Sequence, residues 1–241
     1  MRVCVGTAGW SIPRAVADAF PDDGTGLQRY AAVFDAVEIN TTFYRPHRPQ
    51  TFERWAASTP ARFRFAVKVP KTITHEARLQ GVGPLLDAFL DQIAPLGDKL
   101  GPLLVQLPPS VPHDARTLAT FLRGLRRRHA GPVALEPRHA SWFTPEVDRR
   151  LAEAGVARVA ADPARVPEAA RPGGDPTLAY WRWHGSPRMY WSEYGDERVA
   201  PLAAATRRSP GDCWAVFDNT TSGAAAADAL RLQRMLQTAP R

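Results

Sequence analysis

Short runs of apolar and β-branched residues recur along the chain, bounded by turn residues, at 2–6 (RVCVG), 36–40 (AVEIN), 63–69 (FRFAVKV), 102–107 (PLLVQL), 132–136 (PVALE), 156–162 (VARVAAD), 179–185 (AYWRWHG) and 213–219 (CWAVFDN). Their length and composition predict eight strands. Between most of them the apolar spacing lengthens to the helical period, as in TFERWAAS, PLLDAFLDQIAPLG, DARTLATFLRGLRRR, PEVDRRLAEAG and AAAADALRLQRMLQ. The connection at 163–178 is rich in Pro and Gly and predicts little helix. Eight strands alternating with helices predict an α/β protein built as a single (β/α)8 TIM barrel, its sixth helix short or missing, over an open doubly wound sheet. No low-complexity linker divides the chain, so one domain over 1–241 is expected. GTAGW at 6–10 lacks the G-x-G-x-x-G spacing of a dinucleotide site.

Strand alternation also sorts the polar residues. If the polar phase points inward, it carries Glu38 and Asn40, Arg64 and Lys68, Gln106, Glu136 with Arg138 just beyond, Asp162, Arg182 and His184, and Asp218. Phe63, Phe65, Val67, Val69, Trp181 and Trp183 then face the helices. Polar groups gathered at the ends of many parallel strands mark a site more often than a filler, because an apolar filling of equal volume is as stable or more so. A buried salt-bridge network is the competing reading.

Composition narrows the class. The hydrophobic fraction of 44% in 241 residues supports a full core, and no apolar run reaches the length of a membrane span. MRVCVGTAGW reads as strand and turn without the features of a signal peptide, so a cytoplasmic protein with no membrane partner is expected. Two cysteines, Cys4 and Cys213, are too few for a disulfide scaffold. The net charge of +7 allows a nucleic-acid partner, although Arg dominates over three Lys in a chain rich in Ala and Pro. The basic run at 122–130 fits a solvated helix C-terminus.

The motifs VGTAGW (5–10), VEINTTFYR (37–45), FAVKVPKTITHE (65–76), PLLVQLPPS (102–110), ALEPRHASW (134–142), YWRWHG (180–185) and AVFDNTTSGAAAADA (215–229), in this order, resemble the DUF72 family, the YecE-like proteins. That resemblance implies a TIM barrel and leaves the reaction unassigned; kinship with endonuclease-like and sugar-isomerase-like barrels is analogy of fold. It carries over Gly9, Trp10, Glu38, Asn40, Phe43, Tyr44, Lys68, Thr74, His75, Gln106, Glu136, Arg138, Trp142, His184, Gly185 and Asn219. Asp218 stands where the family pattern often has Asn, adding a negative charge.

Several chemistries compete for these residues. Glu38 and Glu136 fall on the second and fifth strands, which does not suit a glycosidase pair. His75, His139 and His184 with Glu38, Glu136 and Asp162 leave a divalent metal possible, but no HxH or HExxH pair exists, so no cofactor is required. Lys68 fits either an amine of depressed pKa, as base or Schiff-base nucleophile, or a charged clamp paired with Glu38; the clamp is favoured. The eighth loop, DNTTSG, offers an anion site at a helix N-terminus or an ordinary N-cap. Trp10, Phe43, Tyr44, Trp142, Tyr190, Trp191 and Tyr194 form an expected aromatic rim beside cations. The expectation is an enzyme of hydrolase or lyase type on a small phosphorylated or nucleotide-like substrate, with Glu38, Lys68, Glu136 and His184 catalytic. Trp10, Asn40, Tyr44, Lys71, His75, Gln106, Arg138, Trp142, Asp162, Arg182, Tyr190, Tyr194, Asp218 and Asn219 are expected to bind substrate. A noncatalytic nucleic-acid-binding protein and a metal-dependent isomerase or phosphoesterase are the alternatives.

Overall fold

The computed structural model describes residues 1–238, so the last three residues of the expected 1–241 domain lie outside the described residues. Strand and helix alternate along the chain. Strands β1 (Val3–Thr7), β2 (Ala36–Ile39), β3 (Arg64–Lys68), β4 (Leu100–Gln106) and β5 (Val133–Glu136) are separated by helices α1 (Gly26–Val33), α2 (Pro49–Ala57), α3 (Gly83–Ile93) and α4 (Ala115–Arg126). Helix α5 (Pro145–Glu153) leads to β6 (Val156–Arg158), β7 (Ala160–Asp162) and the two-residue β8 (Gly173–Gly174), followed by β9 (Leu178–Trp183), α6 (Gly195–Arg207), β10 (Asp212–Phe217) and α7 (Ala224–Thr238).

Two sheets result. One has the order β1-β10-β9-β7 and is parallel throughout; the other runs β2-β3-β4-β5-β6 in parallel, with β8 antiparallel on β6. They approach each other at both margins. Ala8 bridges Glu38 in parallel, and Gly9 N–H donates to the Glu38 carbonyl at 2.9 Å. At the other margin Val159 alone separates β6 from β7, its N–H bonded to the Leu135 carbonyl at 2.9 Å.

The expected sixth strand, 156–162, is therefore divided, because there the chain passes from one sheet to the other. The connection after it holds one short turn, Pro167–Ala170, in place of a helix. Strand β8 was not predictable from a Gly-Gly pair, yet glycine is what the site demands. Gly174 has φ 68°, and a Cβ there would stand 2.4 Å from the Val156 carbonyl oxygen.

Local chemistry accounts for the helix starts. Thr25 and Gln28 close a capping box at α1, Asp114 accepts from Thr117 N–H at 2.7 Å at α4, and Thr144 accepts from Val147 N–H at 3.3 Å at α5. The basic end of α4 is more than solvated: Arg126 donates to the carbonyls of Ala154, Gly155 and Gly131 at 2.7, 2.6 and 2.6 Å, tying α4 to the end of α5.

The core has two parts, one per strand phase. Val37, Phe65, Val67, Leu103, Leu135, Trp181 and Phe217 belong to the large cluster against the helices, as the alternation predicts. Cys4, Ala36, Ala66, Leu104, Ala134, Ala157, Tyr180, Trp214 and Val216, from both sheets, form a second cluster on the face the sheets share. Its floor is aromatic: Tyr180 and Trp214 stack at 6.0 Å and 3°. Gly101 makes room for Trp214, since a Cβ there would meet the indole at 2.6 Å. The next residues in this phase, one layer toward the strand C-termini, are Glu38, Lys68, Gln106, Glu136, Arg182 and Asp218.

Candidate functional site

Arg182 on β9 is the centre of that layer and is 0% exposed. It donates from Nε to Glu38 Oε2 at 3.0 Å and from NH2 to Glu38 Oε1 at 2.7 Å, a two-point contact that fixes the carboxylate. Its NH1 reaches Glu136 Oε2 at 2.7 Å and its NH2 also reaches Asp218 Oδ2 at 3.0 Å. Tyr180, two residues back in the same phase, donates its hydroxyl to Glu38 Oε2 at 2.9 Å. One guanidinium thus binds three carboxylates from β2, β5 and the end of β10.

The second half of the cluster surrounds His184. Its Nε2 lies 3.0 Å from Glu136 Oε1 and its Nδ1 lies 2.9 Å from Asp218 Oδ2, so the ring bridges the two carboxylates. Arg138 donates to the same Glu136 Oε1 from Nε and NH2, at 3.1 and 3.0 Å. Tyr190 lies over this pair, its hydroxyl 3.3 Å from Arg138 NH1 and its ring edge-on to His184 at 5.7 Å. Tyr190 holds φ at 64°, a conformation that costs a non-glycine residue about 1–3 kcal/mol and clusters at functional sites.

Burial works to raise the Glu136 carboxyl, but Arg182, Arg138 and His184 overcome it and hold the group well below the ordinary carboxylate range. Asp218 follows the same pattern: burial raises it, Arg182 and His184 prevail, and it is lowered. Both are committed carboxylates. Glu38, 0% exposed, and Glu136 spend their oxygens on Arg182, Tyr180, Arg138 and His184, so neither extends an uncommitted oxygen toward a substrate.

Lys68 differs from its neighbours. It is 5% exposed, its Nζ stands 4.1 Å from the centre of the Phe43 ring, and its ammonium forms no hydrogen bond or ion pair with any described residue. The expected pairing with Glu38 is absent because Arg182 and Tyr180 already occupy that carboxylate. Burial and the charge of Arg182 lower the Lys68 ammonium to about 8, against the opposing pull of Glu38, Glu136 and Asp218. Thr42 secures the strand end by donating to the Lys68 carbonyl at 2.7 Å. Gln106 is buried and its amide bonds to no described side chain, and Asn40 Oδ1 is a buried acceptor without a partner among the described residues. His75, in a π-helical turn at Thr72–Glu76, packs edge-on to Phe43 at 4.9 Å. Burial first, then Lys68 and Arg138, lower its pKa.

Other expected site residues are placed elsewhere. Asp162 faces outward, because β6 and β7 put Ala157 and Val159 inside and turn their polar phase to the helices: Arg158 pairs with Asp148 of α5 at 2.6 Å. Asp162 itself accepts from Tyr194 at 2.8 Å and from Arg198 at 3.0 Å. Tyr194 is buried, its hydroxyl also accepting from Gly185 N–H at 2.7 Å. Asn219 donates to Asp228 at 2.8 Å and to the Ser192 carbonyl at 2.9 Å. Trp142 is in the core, its indole donating to the Val111 carbonyl at 2.9 Å. Arg64 shares the inward phase but stands at the N-terminal end of β3, bonded to the Ala61 and Phe63 carbonyls at 2.8 and 2.9 Å.

Lys71, paired with Glu76 at 3.1 Å, and Tyr44 line a separate crevice of about 230 Å³ with Leu85 and Phe89. Trp10 packs edge-on to Trp55 at 5.0 Å. Of the expected aromatic rim, Tyr44, Tyr190 and Trp191 are exposed. In the eighth loop Ser222 accepts from Ala224 N–H at 3.3 Å, as an N-cap does. Roomier crevices of about 400 and 380 Å³, by Arg171 and Arg208 and between α4 and α5, touch none of the charged cluster. Among the described residues no three His, Cys, Asp or Glu side chains are grouped to hold a metal ion, and no helix is long and apolar enough to cross a membrane.

Sequence reasoning missed Tyr180 and Asp228. Tyr180 carried a signal, since it shares the inward phase with Arg182 and His184. Asp228 looked like one polar residue in an alanine-rich helix, and nothing local showed that it receives Tyr194 N–H at 3.1 Å, Asn219 and Arg231.

Fold and site together define a mixed α/β protein of parallel strands with a charged cluster at the strand C-termini. The chain belongs to the DUF72 family, described as a protein of unknown function, whose match covers residues 4–241. Among curated relatives, UPF0759 protein YecE of Escherichia coli (strain K12) is 34% identical over 176 residues, 70% of this chain and 62% of that protein, so the match spans less than two thirds of the relative. UPF0759 protein YunF of Bacillus subtilis (strain 168) is 29% identical over 150 residues, 59% of this chain and 53% of that protein. A solved DUF72 family protein from Thermotoga maritima superposes with a TM-score of 0.80 at 28% identity, covering 98% of this chain and 100% of its own. One from Enterococcus faecalis gives 0.81 at 23%, covering 99% and 97%. A xylose isomerase-like TIM barrel/4-hydroxyphenylpyruvate dioxygenase fusion protein gives 0.54 at 17%, covering 98% of this chain and 42% of that one, a likeness of fold alone.

Proposed function

We propose that this chain is an enzyme of lyase type that binds a small phosphorylated substrate over the C-terminal ends of β2, β3, β5 and β9, where Lys68 and Arg138 are the cations that meet it. One observation carries the reading: Lys68 is buried without a counter-ion among the described residues. An ammonium largely withdrawn from water and without a counter-ion is disfavoured, and a ligand anion supplies the missing partner. The uncommitted Gln106 amide and the unpartnered Asn40 Oδ1 stand at the ends of β4 and β2, the strands that flank β3. Lyase chemistry is favoured over hydrolysis because Glu38, Glu136 and Asp218 are held by Arg182 and His184, which leaves none of them to activate water.

This reading takes the fold as one domain and a closed (β/α)8 barrel. Backbone contacts at both margins of the sheets and the apolar cluster they share support closure. Buried free thiols at Cys4 and Cys213 fit a reducing compartment such as the cytoplasm.

Calorimetric titration with inorganic phosphate tests the reading. The wild type is expected to bind, and Arg138→Gln to weaken binding by about tenfold, the scale of one charge-assisted hydrogen bond. No binding to the wild type would refute it. Salt-dependent binding of single-stranded DNA unchanged by Arg138→Gln would favour the nucleic-acid alternative.

A further inference from the structure

The three lysines of this chain are held in three different ways. Lys99 has its ammonium saturated by the carbonyls of Ala56 and Thr59, both at 2.5 Å, and by Thr59 Oγ1 at 3.1 Å. Lys71 lies half-exposed against Glu76 at 3.1 Å. Lys68 alone is buried and bonded to no described acceptor, with an aromatic face 4.1 Å away as its nearest cation-stabilising group. Its position is fixed nonetheless, by strand pairing of β3 with β4 and by Thr42 on its carbonyl.

A residue needed only for charge does not require this setting. Arg138 supplies a lasting positive charge at the same mouth, since burial lowers its pKa but Glu136 and Tyr190 raise it further. Once Arg138 has taken up the substrate's phosphate, the same unpaired Lys68 ammonium is placed to shed its proton and present a lone pair.

We infer that Lys68 Nζ condenses with the carbonyl carbon of a small phosphorylated aldehyde or ketone, forming an imine while Arg138 holds the phosphate. The inference rests on the phosphorylated-substrate reading above and adds the carbonyl and the covalent step. The amine lone pair forms the C–N bond as the C=O π pair moves to oxygen, which takes a proton from nitrogen. The nitrogen lone pair then expels that oxygen, which leaves as water with the second nitrogen proton. Amine and carbonyl become imine and water, and no oxidant or reductant takes part. Lowering of the ammonium to about 8 keeps a working fraction of neutral amine near pH 7. Gln106, at the end of the neighbouring β4 and bonded to no described side chain, is the group placed to donate to a substrate hydroxyl.

Trapping tests this directly. The wild-type protein is incubated with dihydroxyacetone phosphate, reduced with borohydride and mapped by peptide mass spectrometry, while calorimetry follows inorganic phosphate on the same preparation. The expected result is one stable adduct at Lys68, suppressed by inorganic phosphate and absent from Lys71 and Lys99, with a yield that rises as pH approaches 8. Phosphate binding with no Lys68 adduct, or with adducts spread evenly over the three lysines, overturns the imine and leaves the phosphate reading standing. Neither phosphate binding nor adduct overturns both. Lys68→Arg, verified as folded by thermal unfolding, is expected to lose the adduct; persistence of the same adduct mass in that variant also overturns the imine.

Discussion

At the scale of single residues the site separates groups that are spent from groups that are free. Arg182 is the shared counter-charge of three carboxylates inside the protein, and removing it leaves uncompensated buried charge. Arg182→Met is accordingly expected to destabilise the fold by about 3–5 kcal/mol, measured by urea unfolding. Lys68 behaves oppositely. Its pKa in the folded protein, about 8, lies below the ordinary lysine value of 10.5. The unfolded chain therefore binds more protons between those values, so the penalty is full below about 8 and fades as pH rises to about 10.5. Lys68→Met is expected to raise stability at pH 7 by on the order of 1–3 kcal/mol, the upper end being the full pKa difference. The wild-type-minus-variant difference should close by pH 10.5, and an unchanged or reduced stability at pH 7 would show that Lys68 is paired. Legibility was uneven at this scale. Period-two alternation revealed Glu38, Lys68, Glu136, Arg182, His184 and Asp218, because strand parity alone decides which face they take. Which carboxylate meets which cation depended on side-chain reach across the space between the sheets, and so the Lys68–Glu38 pair expected from strand adjacency yielded to Arg182.

At the scale of elements, the segments after β9 and β10 form one unit. Asp228 on α7 accepts from Tyr194 N–H at 3.1 Å and from Asn219 at 2.8 Å, while Asn219 binds the Ser192 carbonyl at 2.9 Å and Thr221 N–H binds the Tyr190 carbonyl at 3.0 Å. This net holds Tyr190 over Arg138. Asp228→Ala strands two buried donors and is expected to cost about 2–3 kcal/mol. Amide exchange should accelerate across residues 188–196, while exchange in β3 and β4 stays unchanged. Sequence identified Tyr194 and Asn219 with the substrate; the structure uses them to build the loop that carries Tyr190. A polar residue near a strand end has two possible duties, and only the partner distinguishes them. Strand β6 shows the same limit: VARVAAD has too little alternation to fix its phase, and the Arg158–Asp148 pair decided it.

At the scale of the whole molecule, one phase rule produces two apolar clusters and places the charged layer above the inner one. Seven of the eight predicted strands and the short sixth connection were legible because turn residues and periodicity are local. The change of sheets at Val159 and the β8 pairing were not, since both depend on contacts distant in sequence. The charge arrangement also sets a pH dependence for any anion in the mouth: phosphate affinity should fall as pH rises through about 8, where Lys68 loses its proton.

The most direct test is nuclear magnetic resonance of protein labelled with ¹³C at the lysine side chains, three in all. One ε-carbon signal, lost in Lys68→Met, is expected to titrate near 8 and to move to higher pH when phosphate is added. Three signals titrating together above about 10 and indifferent to phosphate would contradict the account.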